Sequence, residues 1–407
     1  MDRIKQTAIA SVIAVAMMVG WLAAGCSNDK KVNLQFVVND NKIETKASAR
    51  IRDGRLMVPE AYLEEISQKQ IEWLTLPPKN EGAYYSDEVA VLMYHDIKPV
   101  PKGDSIIAVE RFEKQMSLLK QNGFKVISLA QYESFMLANG EVPDNAVLIT
   151  FDDGYESFYQ YAFPILKKYG YSAVSFVIVS SVGDHTKPET TKLSWDQMRA
   201  MQKEGMSFRS HTYDMHQYSA VNEAGDTTPV MVRPIYDKKN QRIETKDEYV
   251  KRVIADLRKA EESLRSELGN TQSAIAFPFG AYNAVVSELT NEAGIPIRFS
   301  TREGINTRFH HTGYRVNGAK TGETEEELIE KLKHLGDRTE KNGEAAILIM
   351  DGQEAVDIGF SKNQDTQENL ISLRDFCHFF NWTIKWDRRH KLVEIKTLET
   401  PFLAEKT

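Results

Sequence analysis

The sequence predicts an α/β fold: a distorted (β/α) barrel with small α+β modules on either side. Three observations predict it. Apolar runs suited to buried strands alternate with amphipathic stretches through most of the chain between Val89 and Leu335. Acids, histidines and turn residues cluster directly after those runs, where such architectures carry their reactive groups. The two flanks repeat a different pattern of strand, helix and strand.

Each element has its own signal. Val89 to Tyr94 reads as a strand, and Phe112, Met116, Leu118 and Leu119 mark a helix that ends at Asn122-Gly123. A short strand from Phe124 to Ile127 and a helix from Leu129 to Leu137 follow. The run Ala146 to Phe151 is a strand, and the helix carrying Phe158, Tyr161, Ile165 and Leu166 closes at Gly170. Ala173 to Val179 is a strand, Ser194 caps a helix from Trp195 to Gln202, and Met206 to Ser210 is a strand. A long helix spans Asp247 to Leu268, with a strand from Ala274 to Phe277 and helices at Ala284 to Ala293 and Glu325 to Leu335. Between His216 and Asp247 the pattern stops for about 30 residues, long enough to suggest a lid beside the site.

Composition bounds the chemistry. The 407 residues are 42% hydrophobic and 27% charged, with a net charge of −7, so nothing electrostatic favours nucleic acid as a partner. Residues 1–25 carry Arg3 and Lys5, then an apolar stretch that ends in Leu22-Ala23-Ala24-Gly25-Cys26 before a polar segment. This resembles a bacterial lipoprotein signal, which implies a lipidated Cys26 and an extracytoplasmic, membrane-anchored chain. Cys377 is the second cysteine, in an apolar run, and reads as a buried small hydrophobe.

The chemistry centres on Thr150-Phe151-Asp152-Asp153-Gly154 at the end of a strand. Adjacent carboxylates repel, so a cation or a shared proton must offset them, and the chain must bend at Gly154 for both to serve one site. Ser210-His211-Thr212-Tyr213-Asp214-Met215-His216 follows another strand. His211 and His216, five apart, converge on one metal only through a loop. His95 ends the first barrel strand, and Phe277-Pro278-Phe279-Gly280 ends a later one. The Tyr155 backbone N–H follows the glycine and can point into the site.

Together these motifs resemble the polysaccharide deacetylase family, the NodB-homology domain of carbohydrate esterase family 4, over about residues 88–340. The histidine spacing and the early Tyr94-His95-Asp96 look like the subgroup that de-N-acetylates biofilm poly-β-1,6-N-acetylglucosamine. By this resemblance Asp153, His211 and His216 hold a divalent metal, zinc foremost, with nickel, cobalt or iron as alternatives. The resemblance also implies that Asp152 is the base, His95 the acid, and Tyr155, Pro278 and Phe279 the oxyanion and substrate contacts. The partner it implies is an N-acetylated glycan polymer, poly-β-1,6-N-acetylglucosamine or peptidoglycan. A non-catalytic glycan-binding lipoprotein is the competing class. One departure bears on mechanism: the family arginine of the third motif is absent, since Ala276 and Phe277 precede Pro278.

The flanks look like the N-terminal module of copper amine oxidases. Leu56-Met57-Val58-Pro59 leads to Ile71-Glu72-Trp73, as Leu370-Ile371-Ser372-Leu373 leads to Ile384-Lys385-Trp386. The expected organisation is a signal at 1–25, a truncated module and linker at 26–83, the deacetylase domain at 84–340, and a second module at 344–398 that contacts the cell wall.

Overall fold

The structure is a computed structural model that describes residues 30–397 apart from 76–77, 102–104, 338–345, 352, 356–357, 364 and 381. The expected signal at 1–25 and Cys26 lie outside the described residues. No described helix is long and apolar enough to cross a membrane.

The central domain is a nearly closed sheet of ten strands among the described residues. Its order is Ile305–Asn306, Val89–Tyr94, Ala146–Phe151, Val174–Val177, Ser207–Ser210, Ala274–Ala276, Ile297–Phe299 and Thr312–Gly313. Val316–Asn317 pairs with Val89–Tyr94, and Lys125–Val126 with Ala146–Phe151. Every pairing is parallel except that of Ile305–Asn306. All six residues of Val89–Tyr94 and of Ala146–Phe151 are buried, as expected of strands covered on both faces. Val89, Val91, Leu148, Phe176, Ala276 and Phe299 share one apolar cluster with Tyr132 and Phe135 of the Leu129–Ala138 helix. Ala90, Leu92, Ile149 and Phe151 face the other way, onto the Val109–Gln121 and Glu325–His334 helices. The sheet closes between Gly313 and Val316, where two residues carry the chain from one edge strand to the Val89–Tyr94 strand.

Helix starts follow their caps. Ser128, Ser194, Thr245 and Thr324 each accept a bond from the third helical N–H, and Gln131, Gln197, Glu248 and Glu327 close reciprocal capping boxes. The expected helix carrying Phe158 begins as a π-helix, Phe158–Ala162, before the α-helix Phe163–Tyr169. Pro164 sits at the change and has no N–H to give the preceding turn.

The insertion after His216 forms two small hairpins, Tyr218–Ala220 with Thr227–Pro229 and Tyr236–Asp237 with Arg242–Ile243. It is pinned where the sequence pattern suggests a lid. Val230 and Met231 enter a core with Tyr249, Val253 and Phe277. Tyr249 Oη donates to the Met231 carbonyl at 2.9 Å, Arg252 to the Val230 carbonyl at 3.0 Å, and Asn283 to the Val232 carbonyl at 2.8 Å.

The flanks contain the expected strands and helices, yet they do not stand apart. The order of their seven-stranded sheet is Phe360–Lys362, Asn369–Ser372, Arg55–Pro59, Asn41–Arg52, Lys30–Val38, Leu392–Lys396 and Thr383–Asp387. Lys30–Val38 lies parallel to Leu392–Lys396, and Arg55–Pro59 antiparallel to Asn369–Ser372. Leu34, Phe36 and Leu63 share one core with Phe376, Val393 and Ile395. Each flank exposes edges that the other covers, and an uncovered edge is a liability. Cys377 is buried in this core, and burial pushes its thiol up to about 12. Phe376→Ala is expected to cost about 3–5 kcal/mol. Limited proteolysis should then cut both Lys30–Val38 and Leu392–Lys396, whereas independent modules would leave the first intact.

Candidate active site

Parallel register assembles the site. Tyr94 pairs with Phe151, so the residues that follow them, His95 and Asp152, emerge side by side. The Asp152 N–H donates to the Tyr94 carbonyl at 2.8 Å, and His95 Nε2 lies 3.9 Å from Asp152 Oδ2. Val177 pairs with Ser210, and the His211 N–H bonds the Val177 carbonyl at 2.9 Å, which brings the first motif histidine to the same end.

The two aspartates separate because the chain turns left-handed. Asp153 has φ 71° and Gly154 φ 67°. Aspartate tolerates this region better than most residues. At Gly154 a Cβ would also meet Val177 Cγ1 at 2.9 Å, so both backbone and space require glycine. Lys192 supports the turn: its Nζ donates to the Asp153 carbonyl at 3.0 Å and lies 3.6 Å from the Tyr155 ring centroid. Burial lowers the pKa of this lysine.

Asp153, His211 and His216 place three donor atoms within 4.8 Å of one another. Both Nε2 atoms approach Asp153 Oδ1, at 3.4 Å from His211 and 3.3 Å from His216. His211 Nδ1 lies 2.7 Å from the Ala276 carbonyl, and the tautomer that donates there leaves Nε2 free as a ligand. Asp153 Oδ1 is buried and has no hydrogen-bond partner. A buried carboxylate oxygen facing two imidazoles fits a divalent cation. Burial raises the Asp153 carboxyl, but the histidines outweigh it and hold it well below the usual range. Burial pushes His216 down, toward the neutral form a metal needs.

The five-residue spacing of the histidines is met by a clamp. Thr212 is left-handed at φ 71°, and Asp256 of the Lys246–Leu268 helix accepts the Tyr213 and Asp214 N–H groups at 2.8 and 2.9 Å. Burial raises the Asp256 carboxyl, partly offset by these two bonds.

Asp152 has a different partner. Arg315, fully buried at the barrel seam, grips both of its oxygens at 2.7 and 2.8 Å and spends Nε on the Ser300 carbonyl at 2.8 Å. Burial would raise the Asp152 carboxyl, but the guanidinium and the nearby histidines bring it below the usual range. Asp152 thus has an arginine partner although the third motif lacks one: the guanidinium comes from the step between Thr312–Gly313 and Val316–Asn317.

His95, Asp152, Asp153, Tyr155, His211, His216 and Phe279 line one cavity of roughly 720 Å³. Pro278 does not line it: it is buried at the start of a 3₁₀ turn, whose flanking Phe277 and Phe279 face the cavity instead. Tyr155 bridges Lys192 through flanking groups, Glu156 N–H to the Thr191 carbonyl and Leu193 N–H to the Gly154 carbonyl. The bridge therefore leaves the Tyr155 N–H unused. Arg315, Asp256 and Lys192 are absent from the expected site. Only Arg315 left a trace in the sequence, as a cation set between the apolar Tyr314 and Val316.

Residues 139–297, which include the Asp152, Asp153, His211 and His216 motifs, match the family model described as Polysaccharide deacetylase. The chain is 26% identical over 259 residues to a poly-beta-1,6-N-acetyl-D-glucosamine N-deacetylase of Escherichia coli (strain K12), covering 59% of this chain and 38% of that protein. It is 29% identical over 198 residues to a protein of the same name from Staphylococcus aureus (strain MRSA252), covering 48% and 61%. The chain thus spans less than two thirds of the length of these relatives. Among solved structures, a de-N-acetylase from Aggregatibacter actinomycetemcomitans superposes with a TM-score of 0.54 at 26% identity, covering 60% of this chain and 99% of that one. The BpsB deacetylase domain from Bordetella bronchiseptica gives 0.52 at 25% identity, covering 59% and 98%.

Arg315→Met is expected to destabilise by about 3–5 kcal/mol, because it strands a buried carboxylate. Adding Asp152→Asn should recover part of that loss in a double-mutant thermal melt. The native pair stabilises above the unfolded carboxylate pKa of about 3.9 and is lost as pH falls through the lower folded value. Removing the guanidinium raises the Asp152 pKa in the folded chain, so the stability gap between Arg315→Met and the native chain should be widest at neutral pH and narrow as pH falls. Separately, Asp256→Ala should weaken any divalent-cation binding at Asp153, His211 and His216 about 10- to 100-fold in a chelator competition, since the histidine loop loses its clamp.

Proposed function

We propose that the chain hydrolyses N-acetyl groups from an extracellular polymer of N-acetylglucosamine, poly-β-1,6-N-acetylglucosamine in particular. The observation that carries this reading is the single cavity in which Asp152, held by Arg315, faces His95 and the Asp153, His211 and His216 cluster. The names of the relatives from Escherichia coli and Staphylococcus aureus favour the β-1,6-linked substrate over peptidoglycan. A scaffold without catalysis loses its main support once Arg315 supplies the missing guanidinium.

Asp153, His211 and His216 would hold zinc, or nickel, cobalt or iron in its place. The bound ion supplies a Lewis acid for the acetamide carbonyl. Asp152, kept ionised and oriented by Arg315, takes a proton from the attacking water. The Tyr155 N–H donates to the oxygen on which negative charge develops. His95 protonates the departing nitrogen, without which an amide expels its amine poorly. Water adds to the acyl carbon, the C–N bond breaks, and acetate and a glucosamine unit result.

The reading extends to the chain's setting. A lipidated Cys26 would hold it at the outer face of a bacterial membrane, and the paired flanks, as copper amine oxidase N-terminal-like modules, would meet the cell wall. The test is acetate release from β-1,6-linked N-acetylglucosamine oligomers with added zinc. Asp152→Asn is expected to keep its zinc and lose at least about a hundredfold in kcat, and Asp153→Ala to lose both. Full turnover by Asp152→Asn would remove it from the role of base.

A further inference from the structure

The insertion brings an aromatic side chain to the mouth of the cavity that the mechanism does not use. Tyr218 begins the first hairpin and is 54% exposed. Its ring centroid lies 4.5 Å from that of Phe279, which is 39% exposed and lies 4.3 Å from His216. A line of three rings therefore runs outward from the metal-ligand cluster to open solvent.

Two features show that this line is built. Phe279 is held at φ 59°, a left-handed conformation that bulky residues rarely adopt. Gly280 follows at φ 66°, where a Cβ would collide with the Thr301 side chain, so the turn packs closely against the next strand end. The hairpin under Tyr218 is fixed by the buried Val230 and Met231 and by the Arg252 bond to the Val230 carbonyl. A strained turn and an anchored insertion thus present two rings at a fixed spacing. Neither ring covers a core, and an exposed aromatic pair continuous with a substrate cavity marks a binding surface.

We propose that Phe279 and Tyr218 form a shelf for consecutive pyranose rings. Phe279 lies against the unit whose acetamide reaches Asp152, and Tyr218 stacks on its neighbour in the same glycan. The proposal rests on the glycan reading above and assigns the insertion to substrate length selection. An aromatic face offers a flat apolar surface with little conformational entropy to lose, which suits the C–H face of a sugar. Monomers reach only Phe279, whereas oligomers gain the second ring.

The test compares the zinc-loaded full chain with Tyr218→Ala and Tyr218→Phe on the N-acetylglucosamine monomer and on its β-1,6-linked pentamer. The ratio of kcat/KM on pentamer to that on monomer should fall about tenfold in Tyr218→Ala and hold in Tyr218→Phe. An unchanged ratio, or an equal loss on both substrates, overturns the shelf. Calorimetric binding of the pentamer separates this from failure of the enzymatic reading. If no acetate is released by any form, the proposed activity falls. The shelf then stands only if Tyr218→Ala binds about tenfold more weakly than the native chain, and equal or absent binding overturns it.

Discussion

Two neighbouring carboxylates, Asp152 and Asp153, are both nearly buried at the end of one strand, and the rest of the site exists to offset them. Left alone, one would take up a proton, because burial and mutual repulsion both oppose a second charge. The left-handed turn at Asp153 and Gly154 sends the two side chains to different partners. Asp152 turns to a fixed guanidinium, and Asp153 to two imidazoles and the cation they would share. This asymmetry gives two residues of the same type different surroundings: one faces a guanidinium, the other two imidazoles.

The guanidinium depends on closure of the sheet. Arg315 sits in the two-residue step that joins its ends, and its backbone N–H bonds the Arg302 carbonyl at 2.8 Å while Nε bonds Ser300. A barrel left open there would strand Asp152. Closure of the sheet therefore brings Asp152 its guanidinium. A bidentate pair with no exposed atoms of consequence also resists screening, unlike the many surface ion pairs of this chain.

The barrel strands and the chemistry at their ends were legible because both are local in sequence. Val89–Tyr94 and Ala146–Phe151 are unbroken apolar runs, and Asp152, Asp153, His211 and His216 sit within a few residues of such runs. Arg315 was not legible as a partner, since it meets Asp152 across 163 residues and only sheet closure brings them together. Asp256 lies on a long helix whose pattern says which face is polar but not which backbone that face meets. The flanks show the same limit. Their local strands and helices follow from the pattern, but the pairing of Lys30–Val38 with Leu392–Lys396 does not, because a strand's edge carries no signal for its neighbour.

The segment from Ser300 to Arg315 links these levels. Asn306 holds the seam, donating to the Val89 and Tyr314 carbonyls at 3.1 and 3.0 Å and accepting the Tyr314 N–H at 2.8 Å. One residue on, Thr307 donates to Glu354, whose own N–H bonds the Phe309 carbonyl at 3.1 Å. Glu354 belongs to the Gln353–Glu354 strand, which pairs with Ala346–Met350 and through it with Ile71–Thr75. The flanks thus grip the loop that ends in Arg315. The strands of the flanks are therefore joined to the Arg315 step through the 305–310 turn, by buried hydrogen bonds whose groups have few other partners.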